Sequence, residues 1–316
     1  MREQIRQAWC STEARPVPLP IEDHQDCMRT TTKLKQIIDR RAAVTVPGAA
    51  NALIARVIED LGFELVYVTS AGVANMHLGA PDVGLTMMTE MASAVAAIAD
   101  AIALPIIVDA DTGFGNAVNM VRTVRVLERA GAAGIQIEDQ VFPKKCGHFA
   151  GKDIVPVEDM VQKIRAAVDA RRDSDLQIIA RTDARAIEGL DRAIERAHAF
   201  IEAGANVTFV EAPMSVDELA RIPRELNAPQ VANIVFGGHT PDPGRDKLAA
   251  MGFSIVLYAN ATLQAALKAA YEVLGALKTD GSLDRVGDRL ASFEERQRSV
   301  AKDKWDALET RYRVGG

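Results

Sequence analysis

Two short apolar runs of this sequence each end in closely spaced acidic side chains. Residues 105–108 lead into Asp109-Ala110-Asp111, and residues 134–137 lead into Glu138-Asp139. Both runs have the character of buried strands, so their carboxylates would gather at the strand ends and repel one another unless a cation lies between them. Oxygen ligands of this kind suit a hard divalent ion such as Mg²⁺, with Mn²⁺ as a substitute, better than zinc. The pattern therefore indicates a divalent-metal site.

The stretch after the second acidic pair combines cations with a thiol and an imidazole. Residues 144–148 read Lys-Lys-Cys-Gly-His, and Gly151-Lys152 ends the loop. Positive neighbours stabilise a thiolate, so Cys146 could exchange a proton while Lys144 and His148 orient anionic groups. In the alternative interpretation the first acidic pair caps the next helix and this loop is only a solvated basic turn. The combination of all these groups in one stretch favours a catalytic site.

The bulk properties exclude several classes of protein. The chain has 316 residues, of which 48% are hydrophobic and 25% charged, as is typical of a globular protein. A net charge of -6 argues against a nucleic-acid-binding protein, which normally carries a basic face. Cys10, Cys27 and Cys146 are odd in number and widely spaced, which predicts no disulfide framework and fits a reducing cytosol. Because neither a signal peptide nor a membrane span is visible, we expect a cytoplasmic protein without a membrane partner.

Strand-like apolar runs alternate with helical segments about eight times, which predicts an α/β fold. A (β/α)8 barrel of the TIM type is the expected architecture, with a doubly wound open sheet as the alternative. Polar residues recur at the carboxyl ends of most strands, where such barrels carry their active sites, and this favours the barrel. Gly113-x-Gly115 is too short for a dinucleotide-binding fingerprint. We expect an N-terminal extension (1–32), the barrel (33–280) and a C-terminal helical segment (281–316).

Two predictions concern particular helices. Thr89 is predicted to cap a helix that runs to about residue 101. In the charged C-terminal segment, Phe293, Trp305, Leu308 and Tyr312 form an apolar stripe. This stripe suits packing on a partner subunit, which we expect, although a solvated surface helix would have a similar pattern.

The motifs together closely resemble those of the isocitrate lyase/phosphoenolpyruvate mutase superfamily. The resemblance runs from about residue 33 to the C-terminus and rests on residues 70–72 (Ser-Ala-Gly), 109–115, 138–140 (Glu-Asp-Gln), 144–148, 180–183 (Ala-Arg-Thr-Asp) and Asn233. The Lys-Lys-Cys-Gly-His loop is similar to that of the lyase branch and is missing from the phosphonate mutases. The short chain favours lyases that resemble 2-methylisocitrate lyase and 2,3-dimethylmalate lyase, because true isocitrate lyases carry long insertions.

The resemblance implies a Mg²⁺-dependent cleavage of a 2-hydroxy dicarboxylate or tricarboxylate to an α-keto acid, such as pyruvate, and a second carboxylic acid. Asp109, Asp111, Glu138 and Glu211 would hold the ion. Arg181 would pair with the carboxylate of the keto-acid half, and Cys146 would protonate the carbanion left by the broken bond. The expected substrate-binding residues also include Ser70, Ala71, Gly72, Asp82, Gly147, Glu211, Asn233, Phe236 and Thr240. A homo-oligomer, by resemblance a tetramer, is expected.

One departure from the pattern of these lyases bears on the substrate. Where they usually carry Glu in the loop after strand 7, this sequence has Phe236. An aromatic ring offers apolar contact and no charge, so we expect a substrate with an alkyl substituent rather than a third carboxylate. The alternatives on the same fold are hydrolysis or decarboxylation of oxaloacetate and a phosphonate mutase reaction. A barrel that binds a dicarboxylate without turnover is a further alternative, which the intact set of reactive residues disfavours.

Overall fold

The computed structural model describes residues 28–147 and 151–314. In this part of the chain, eight parallel strands pair in sequence order and close into a barrel, since β1 also pairs with β8. The predicted (β/α)8 barrel is therefore confirmed and the open sheet is excluded. The strands are β1 (Val44–Ala49), β2 (Val66–Val68), β3 (Ile106–Asp109), β4 (Gly134–Glu138), β5 (Gln177–Thr182), β6 (Val207–Val210), β7 (Gln230–Asn233) and β8 (Ile255–Tyr258).

The helices pack around the barrel, and the first precedes β1 whereas the others come after the strands. They are α1 (Thr30–Asp39), α2 (Ala52–Asp60), α3 (Ser70–Val73, continued by a π-helical turn over Ala74–Leu78), α4 (Met88–Ala101), α5 (Ala117–Arg129), α6 (Val157–Ala170), α7 (Arg185–Glu188), α8 (Leu190–Glu202), α9 (Val216–Glu225), α10 (Arg245–Met251) and α11 (Ala261–Asp280). A 3₁₀ turn (Asp284–Arg289) follows α11.

The strands separate two apolar layers because successive side chains of a strand point to opposite faces. Ile107, Ile179 and Phe209 belong to a buried cluster inside the barrel. Their neighbours Ile106 and Ile178 belong instead to a second cluster, which packs against the surrounding helices. The same alternation decides which polar residues at the strand ends face inward.

Helix α1 covers the N-terminal end of the barrel. Leu34, Ile37 and Ile38 of this helix are buried in the interior cluster. The contact is close at Gly134, the first residue of β4, where an added Cβ would lie 2.9 Å from Leu34 Cδ2. Because this end is closed by apolar packing, polar chemistry is confined to the opposite end.

The helix caps exclude one alternative interpretation of the sequence and contradict one prediction. Asn116 caps α5 by accepting hydrogen bonds from the backbone N–H groups of Val118 and Asn119, so the acidic pair before this helix does not cap it. The prediction that Thr89 caps α4 is wrong. This helix begins at Met88, and the carboxylate of Glu90 accepts a hydrogen bond from the Met87 backbone N–H.

Residues 291–314 belong to a second compact unit and form α12 (Phe293–Ser299) and α13 (Lys302–Tyr312). Ser292 caps α12 in a reciprocal arrangement with Glu295. Three members of the predicted apolar stripe, Phe293, Trp305 and Tyr312, are exposed. None of the described helices combines the length and apolar character that crossing a membrane requires.

Candidate active site

Polar side chains converge at the carboxyl ends of the strands. Four polar residues each lie two positions beyond an apolar side chain of the interior cluster, so their side chains also point into the barrel. They are Asp109, Arg181, Glu211 and Asn233. Glu138 pairs with Arg181 in the register of β4 and β5, and its carboxylate is 3.3 Å from the Arg181 guanidinium. The barrel thus brings acidic and basic groups from several strands to one mouth.

The turn after β3 directs two carboxylates into this mouth. Ser70 Oγ lies 3.0 Å from Asp109 Oδ2 and 2.8 Å from Asp111 Oδ1, within hydrogen-bond distance of both. Asp109 Oδ1 also accepts hydrogen bonds from the Asp111 backbone N–H and from the side chain of Gln136 on β4. Asp111 has a φ of 48°, a left-handed conformation that costs free energy in a non-glycine residue. A turn that keeps such strain is characteristic of a functional site.

Lys144 is buried between acidic groups of different loops. Its ammonium group forms ion pairs with Asp82 and with Asp111, the latter at 2.9 Å, and lies 3.4 Å from Ser70 Oγ. Burial lowers the pKa of Lys144, but Asp111, Glu138 and the other nearby carboxylates outweigh it and hold the pKa well above its usual value. Lys144 is therefore a permanent cation at the barrel mouth.

Arg181 is the second buried cation of the site. Asp183 accepts two hydrogen bonds from its guanidinium, at 2.9 and 3.1 Å, and a Glu211 oxygen is 3.7 Å away. The guanidinium also lies over the ring of Phe209, 5.3 Å from the centroid. A planar guanidinium fixed in this way is suited to bidentate binding of a carboxylate.

The acidic groups retain unused acceptor capacity that fits a divalent ion. Within the described residues, Asp111 Oδ2 and both oxygens of Glu138 are buried and accept no hydrogen bond. Burial raises the pKa of Asp111 to about 6 and that of Glu138 well above its usual value. Seven carboxyl groups and five cationic side chains are buried in the described chain, so full ionisation would leave an excess of two negative charges. Hard oxygen donors with this excess suit an ion such as Mg²⁺.

The described residues contain no group of three His, Cys, Asp or Glu side chains already arranged to hold a metal ion. Lys144 and Arg181 lie between the carboxylates that we predicted as ligands. Binding of an ion would therefore involve local movement of these side chains.

The comparisons with known proteins agree with this geometry. A family model described as phosphoenolpyruvate phosphomutase matches residues 34–278. The chain is 46% identical to 2,3-dimethylmalate lyase from Eubacterium barkeri over 91% of its own length and 100% of that protein. It is also 46% identical to 2-methylisocitrate lyase from Aeropyrum pernix, over 83% of this chain and 84% of that protein. This chain belongs to the phosphoenolpyruvate mutase/isocitrate lyase superfamily.

Solved structures of the superfamily have the same fold. A crystal structure of 2,3-dimethylmalate lyase superposes with a TM-score of 0.85 at 32% identity, over 90% of this chain and 96% of that one. A structure of oxaloacetate acetylhydrolase with the inhibitor 3,3-difluorooxalacetate gives a TM-score of 0.83 at 33% identity, over 89% and 95%. The chain is thus a member of an enzyme superfamily that contains carbon–carbon lyases, and members of this superfamily are metal-dependent.

The loop that resembles the lyase branch lies beside the mouth. Cys146 is half-buried, and its backbone N–H donates a hydrogen bond to the Asp82 carbonyl at 3.2 Å. Gly147 lies directly against Arg181 and Glu211. His148, predicted to orient anionic groups, lies outside the described residues, so its role stays a prediction.

The remaining predicted residues differ in position. Ser70 and Gly72 are buried in α3, whereas Ala71 is half-buried. Asn233 donates a weak hydrogen bond, at 3.3 Å, to Glu211, and Thr240 is buried with no hydrogen-bond partner for Oγ1 in the described chain. By contrast, Phe236 is 88% exposed, so in this conformation its ring does not line a closed pocket.

Tyr67 was not predicted as part of the site, and Asp139, one of the strand-end carboxylates expected around the metal, has other partners. Tyr67 is buried at the mouth, where burial and the neighbouring Asp109 raise its pKa well above the usual value. Asp139 accepts hydrogen bonds from Thr182, from the Asp183 backbone and from Arg196, which lies 57 residues along the chain. The period of two in each strand could have identified Tyr67, but the Asp139–Arg196 pair depends on tertiary packing.

Proposed function

We propose that this protein is a Mg²⁺-dependent carbon–carbon lyase. Its substrate would be a 2-hydroxy dicarboxylate or tricarboxylate of the 2,3-dimethylmalate or 2-methylisocitrate type, cleaved to an α-keto acid such as pyruvate and a second carboxylic acid. The observation that carries the proposal is the set Asp109, Asp111, Glu138 and Arg181, buried together at the barrel mouth. The two relatives at 46% identity, both named lyases, support the same reaction class.

Asp109, Asp111, Glu138 and Glu211 are the residues proposed to hold the ion. Their chemistry fits because all four supply hard oxygen donors, and oxygens of Asp111 and Glu138 have no other hydrogen-bond partner in the described chain. When bound, the ion would supply positive charge that polarises the oxygens of the hydroxy-acid half and makes its hydroxyl more acidic. Manganese, also a hard ion in octahedral oxygen sites, is a plausible substitute.

The chain's own cations would bind and orient the anionic substrate. Arg181 would pair with the carboxylate of the half that leaves as the keto acid, since its guanidinium is already fixed by Asp183. The Ser70–Gly72 segment and Asp82 would complete this binding site. Lys144 would offset the negative charge that develops as the carbon–carbon bond breaks. Asn233 and Thr240, at the β7 end of the mouth, would bind the second half.

Cys146 is proposed to supply the proton that the reaction needs. The substrate hydroxyl releases its proton to solvent and becomes the carbonyl of the keto acid, while the electron pair of the broken carbon–carbon bond remains on the second fragment as a carbanion. Cys146 would transfer the thiol proton to that carbon, giving the second carboxylic acid and a thiolate. The thiolate regains a proton from solvent before the next cycle. His148 is proposed to keep this part of the loop polar.

The decisive experiment is a panel of 2-hydroxy dicarboxylates and tricarboxylates assayed with Mg²⁺. Keto-acid release would be followed through a coupled dehydrogenase, with excess chelator as the matched control. Turnover of at least one compound that is abolished by chelator is the expected result. If no member of the panel releases a keto acid, or if turnover persists in chelator, the proposal fails.

Phe236 is proposed to bias selectivity toward alkyl-substituted substrates. Its ring is exposed in this conformation, so the bias requires that the loop after β7 approaches the bound substrate. Exchange of Phe236→Glu should shift kcat/KM from dimethylmalate-type toward tricarboxylate substrates, whereas Phe236→Leu should not. Equal ratios for the wild type and the Glu variant would remove this residue from substrate selection.

Hydrolysis of oxaloacetate is the second candidate, favoured by the likeness to oxaloacetate acetylhydrolase. The two reactions differ in their products, since hydrolysis of oxaloacetate gives oxalate and acetate. Proton and carbon NMR of the reaction mixture distinguishes them in one experiment. Release of oxalate faster than keto-acid formation from any hydroxy acid would favour the hydrolase.

We also propose a cytoplasmic homo-oligomer, a tetramer by resemblance. Exposed apolar residues on one face of α11, namely Leu267, Tyr271 and Leu274, support self-association. The cysteine pattern supports a reducing compartment. Light scattering coupled to size exclusion tests the assembly, and cell fractionation tests the location.

A further inference from the structure

Lys152 lies at the end of the loop that carries Cys146 and joins two parts of the site. Its side chain is only 2% exposed. The ammonium group donates one hydrogen bond to Asp183 Oδ1, at 2.7 Å, and another to the backbone carbonyl of Gly147, at 2.5 Å. Asp183 in turn binds the guanidinium of Arg181. A continuous path therefore leads from Arg181 through Asp183 and Lys152 to the backbone carbonyl of Gly147, the residue after Cys146.

The Gly147 backbone lies close enough to Arg181 to require such a restraint. An added Cβ on Gly147 would lie 2.5 Å from Arg181 Nη2 and 2.9 Å from Glu211 Oε1. Only a glycine allows the chain to approach the guanidinium this closely. A small displacement of this peptide would change the distance between the Cys146 sulfur and any molecule bound at Arg181.

Three consecutive residues of the loop, 145 to 147, each form backbone hydrogen bonds with a different residue. The Gln140 side chain exchanges two hydrogen bonds with the Lys145 backbone, and the Cys146 N–H donates to the Asp82 carbonyl. Lys152 supplies the third restraint, at Gly147. Of the three restraints, this one is connected to Arg181, the proposed substrate-binding cation, through Asp183. The first two restraints come from the segment after β4 and from the loop after α3, whereas the third connects the loop through Asp183 to the end of β5.

The charge on Lys152 also stabilises the ionised form of Asp183. This carboxylate is fully buried, and burial alone would raise its pKa. Arg181 and Lys152 outweigh the burial and hold the pKa of Asp183 below its usual value. Asp183 is thus an anion with two cationic partners, and it can keep Arg181 in orientation when Lys152 is replaced by a neutral residue.

We propose that Lys152 is a positioning residue, which holds the Gly147 backbone against Arg181 so that the neighbouring Cys146 thiol lies at a fixed distance from the bound carboxylate. The catalytic part of this inference rests on the function proposed above. Because Lys152 acts through Gly147 and Asp183, its loss should affect delivery of the proton more than binding of the substrate.

The test compares Lys152→Met with Lys145→Met in the full-length protein. Lys145 is a matched control because it belongs to the same loop and also donates to a backbone carbonyl, that of Gly151, but it is exposed. Without substrate, the rate at which iodoacetamide alkylates Cys146, followed by peptide mass, should rise several-fold in Lys152→Met and remain near wild type in Lys145→Met. With substrate, kcat should fall by about 10- to 100-fold with little change in KM, the scale expected for a displaced catalytic group.

Further variants separate positioning from general destabilisation. Lys152→Arg, which keeps a cation with several donors, should recover part of the kcat and of the protection from alkylation. If Lys152→Met does not accumulate as folded protein, Lys152→Gln replaces it with the same measurements. Wild-type alkylation and kcat in folded Lys152→Met or Lys152→Gln protein would overturn the proposal, as would equal effects of the Lys152→Met and Lys145→Met substitutions. The alkylation assay requires no turnover, so it tests the restraint even if the proposed reaction proves wrong.

Discussion

Glu138 combines complete burial with an absence of hydrogen bonds to its oxygens within the described chain. Its nearest cation, the Arg181 guanidinium, is 3.3 Å away but is shared with Asp183 and Glu211. Burial is the largest influence on its pKa and raises it, which means that the ionised side chain destabilises the folded protein. Binding of a ligand best explains why a carboxylate is found at a fully buried position without hydrogen-bond partners.

Exchange of Glu138→Gln should therefore separate stability from metal binding. Without metal, we expect a Tm equal to or above that of the wild type, because a buried charge becomes a neutral amide of the same size. Excess Mg²⁺ should raise the Tm of the wild type, since saturation to about 100 times Kd stabilises by about 2.7 kcal/mol. The variant should lose most of this shift. Thermal unfolding with Mg²⁺ and with chelator measures both effects.

The matched control for this prediction is Glu158→Gln, an exposed acid in the first turn of α6. It should keep the full Mg²⁺-dependent shift. A Glu138→Gln protein that is stabilised by Mg²⁺ as strongly as the wild type would show that Glu138 is not a metal ligand.

The second prediction at the residue scale concerns Cys146→Ser. The exchange keeps the size of the side chain but replaces a thiol with a hydroxyl, which is a far weaker acid. Proton delivery to the carbanion should fail, so we expect kcat to fall by about 10²-fold or more, the usual scale for a positioned acid. KM and Tm should change little because the loop is held by backbone contacts at Lys145, Cys146 and Gly147. Steady-state kinetics and thermal unfolding provide the measurements.

Cys146→Ala is the useful companion, because it removes the proton donor without leaving a hydroxyl. Both variants should lose activity to a similar extent. Near-normal kcat in the Ser variant would show that water or His148, and not the thiol, protonates the carbanion.

At the scale of secondary-structure elements, the start of α9 shows how charge fixes a helix to its neighbour. Ser215 caps this helix, and the carboxylate of Glu218 accepts a hydrogen bond from the Met214 backbone N–H. Arg185 on α7 donates two further hydrogen bonds to Glu218, at 2.7 and 2.9 Å. These contacts lower the pKa of Glu218, and the hydrogen bonds from Arg185 have the largest effect. The pair joins two helices that follow β5 and β6, the strands that carry Arg181 and Glu211.

Exchange of Glu218→Gln should lower the free energy of unfolding by about 1–2 kcal/mol at neutral pH, the sum of a cap and a partly exposed ion pair. Because the folded-state pKa of Glu218 is lowered, its stabilisation is fully present above the unfolded value of about 4.3. It is lost as the pH falls through the lower folded-state pKa. Urea unfolding from pH 7 to pH 3 should show the difference between wild type and variant shrinking at the acidic end.

Glu158→Gln again serves as control and should show a smaller difference at neutral pH. A Glu218→Gln effect that stays constant down to pH 3 would show that the carboxylate charge does not contribute to this stabilisation.

Most elements could be predicted from the sequence because their signals are local. Apolar runs ended by polar residues gave the eight strands, and Asn116 is a typical N-cap that directly precedes its helix. The predicted start of α4 was wrong because the helix begins at Met88, and the Glu90 carboxylate accepts a hydrogen bond from the Met87 backbone N–H in place of the expected Thr89 cap. Contacts such as Lys152 with Asp183 and Asp139 with Arg196 join residues 31 and 57 positions apart, so no local pattern reports them.

At the scale of the whole molecule, apolar packing and charged side chains occupy opposite ends of the barrel. Helix α1 and the interior cluster fill the N-terminal end with apolar side chains. The carboxylates of Asp109, Asp111, Glu138 and Glu211 are buried at the opposite mouth, where a divalent ion can balance their charge. The acidic residues at this mouth would attract a cation. The bound cation would then attract an anionic substrate, which the net charge of -6 on the whole chain would otherwise repel.

The outer surface of the barrel carries a feature that chemistry at the mouth does not explain. Leu267, Tyr271 and Leu274 recur at intervals of four and three residues along α11, so they form one face of this helix. They are 57%, 76% and 61% exposed, and Leu277 continues the same face at 41%. A contiguous apolar face of this kind is costly in water and is typical of a protein–protein interface. We expect a second copy of the chain to cover it.

Exchange of Tyr271→Glu together with Leu274→Glu should therefore dissociate the oligomer. Two carboxylates within an apolar interface would lose hydration without gaining partners, which costs several kcal/mol and exceeds what most interfaces can absorb. Light scattering coupled to size exclusion should give a multiple of 34.1 kDa for the wild type and a smaller multiple for the double variant. Lys268→Glu, an exposed charge change beside this face, should keep the wild-type mass. A wild-type protein that elutes as a 34.1 kDa monomer would refute the oligomer itself, and an unchanged mass in the double variant would move the interface away from α11.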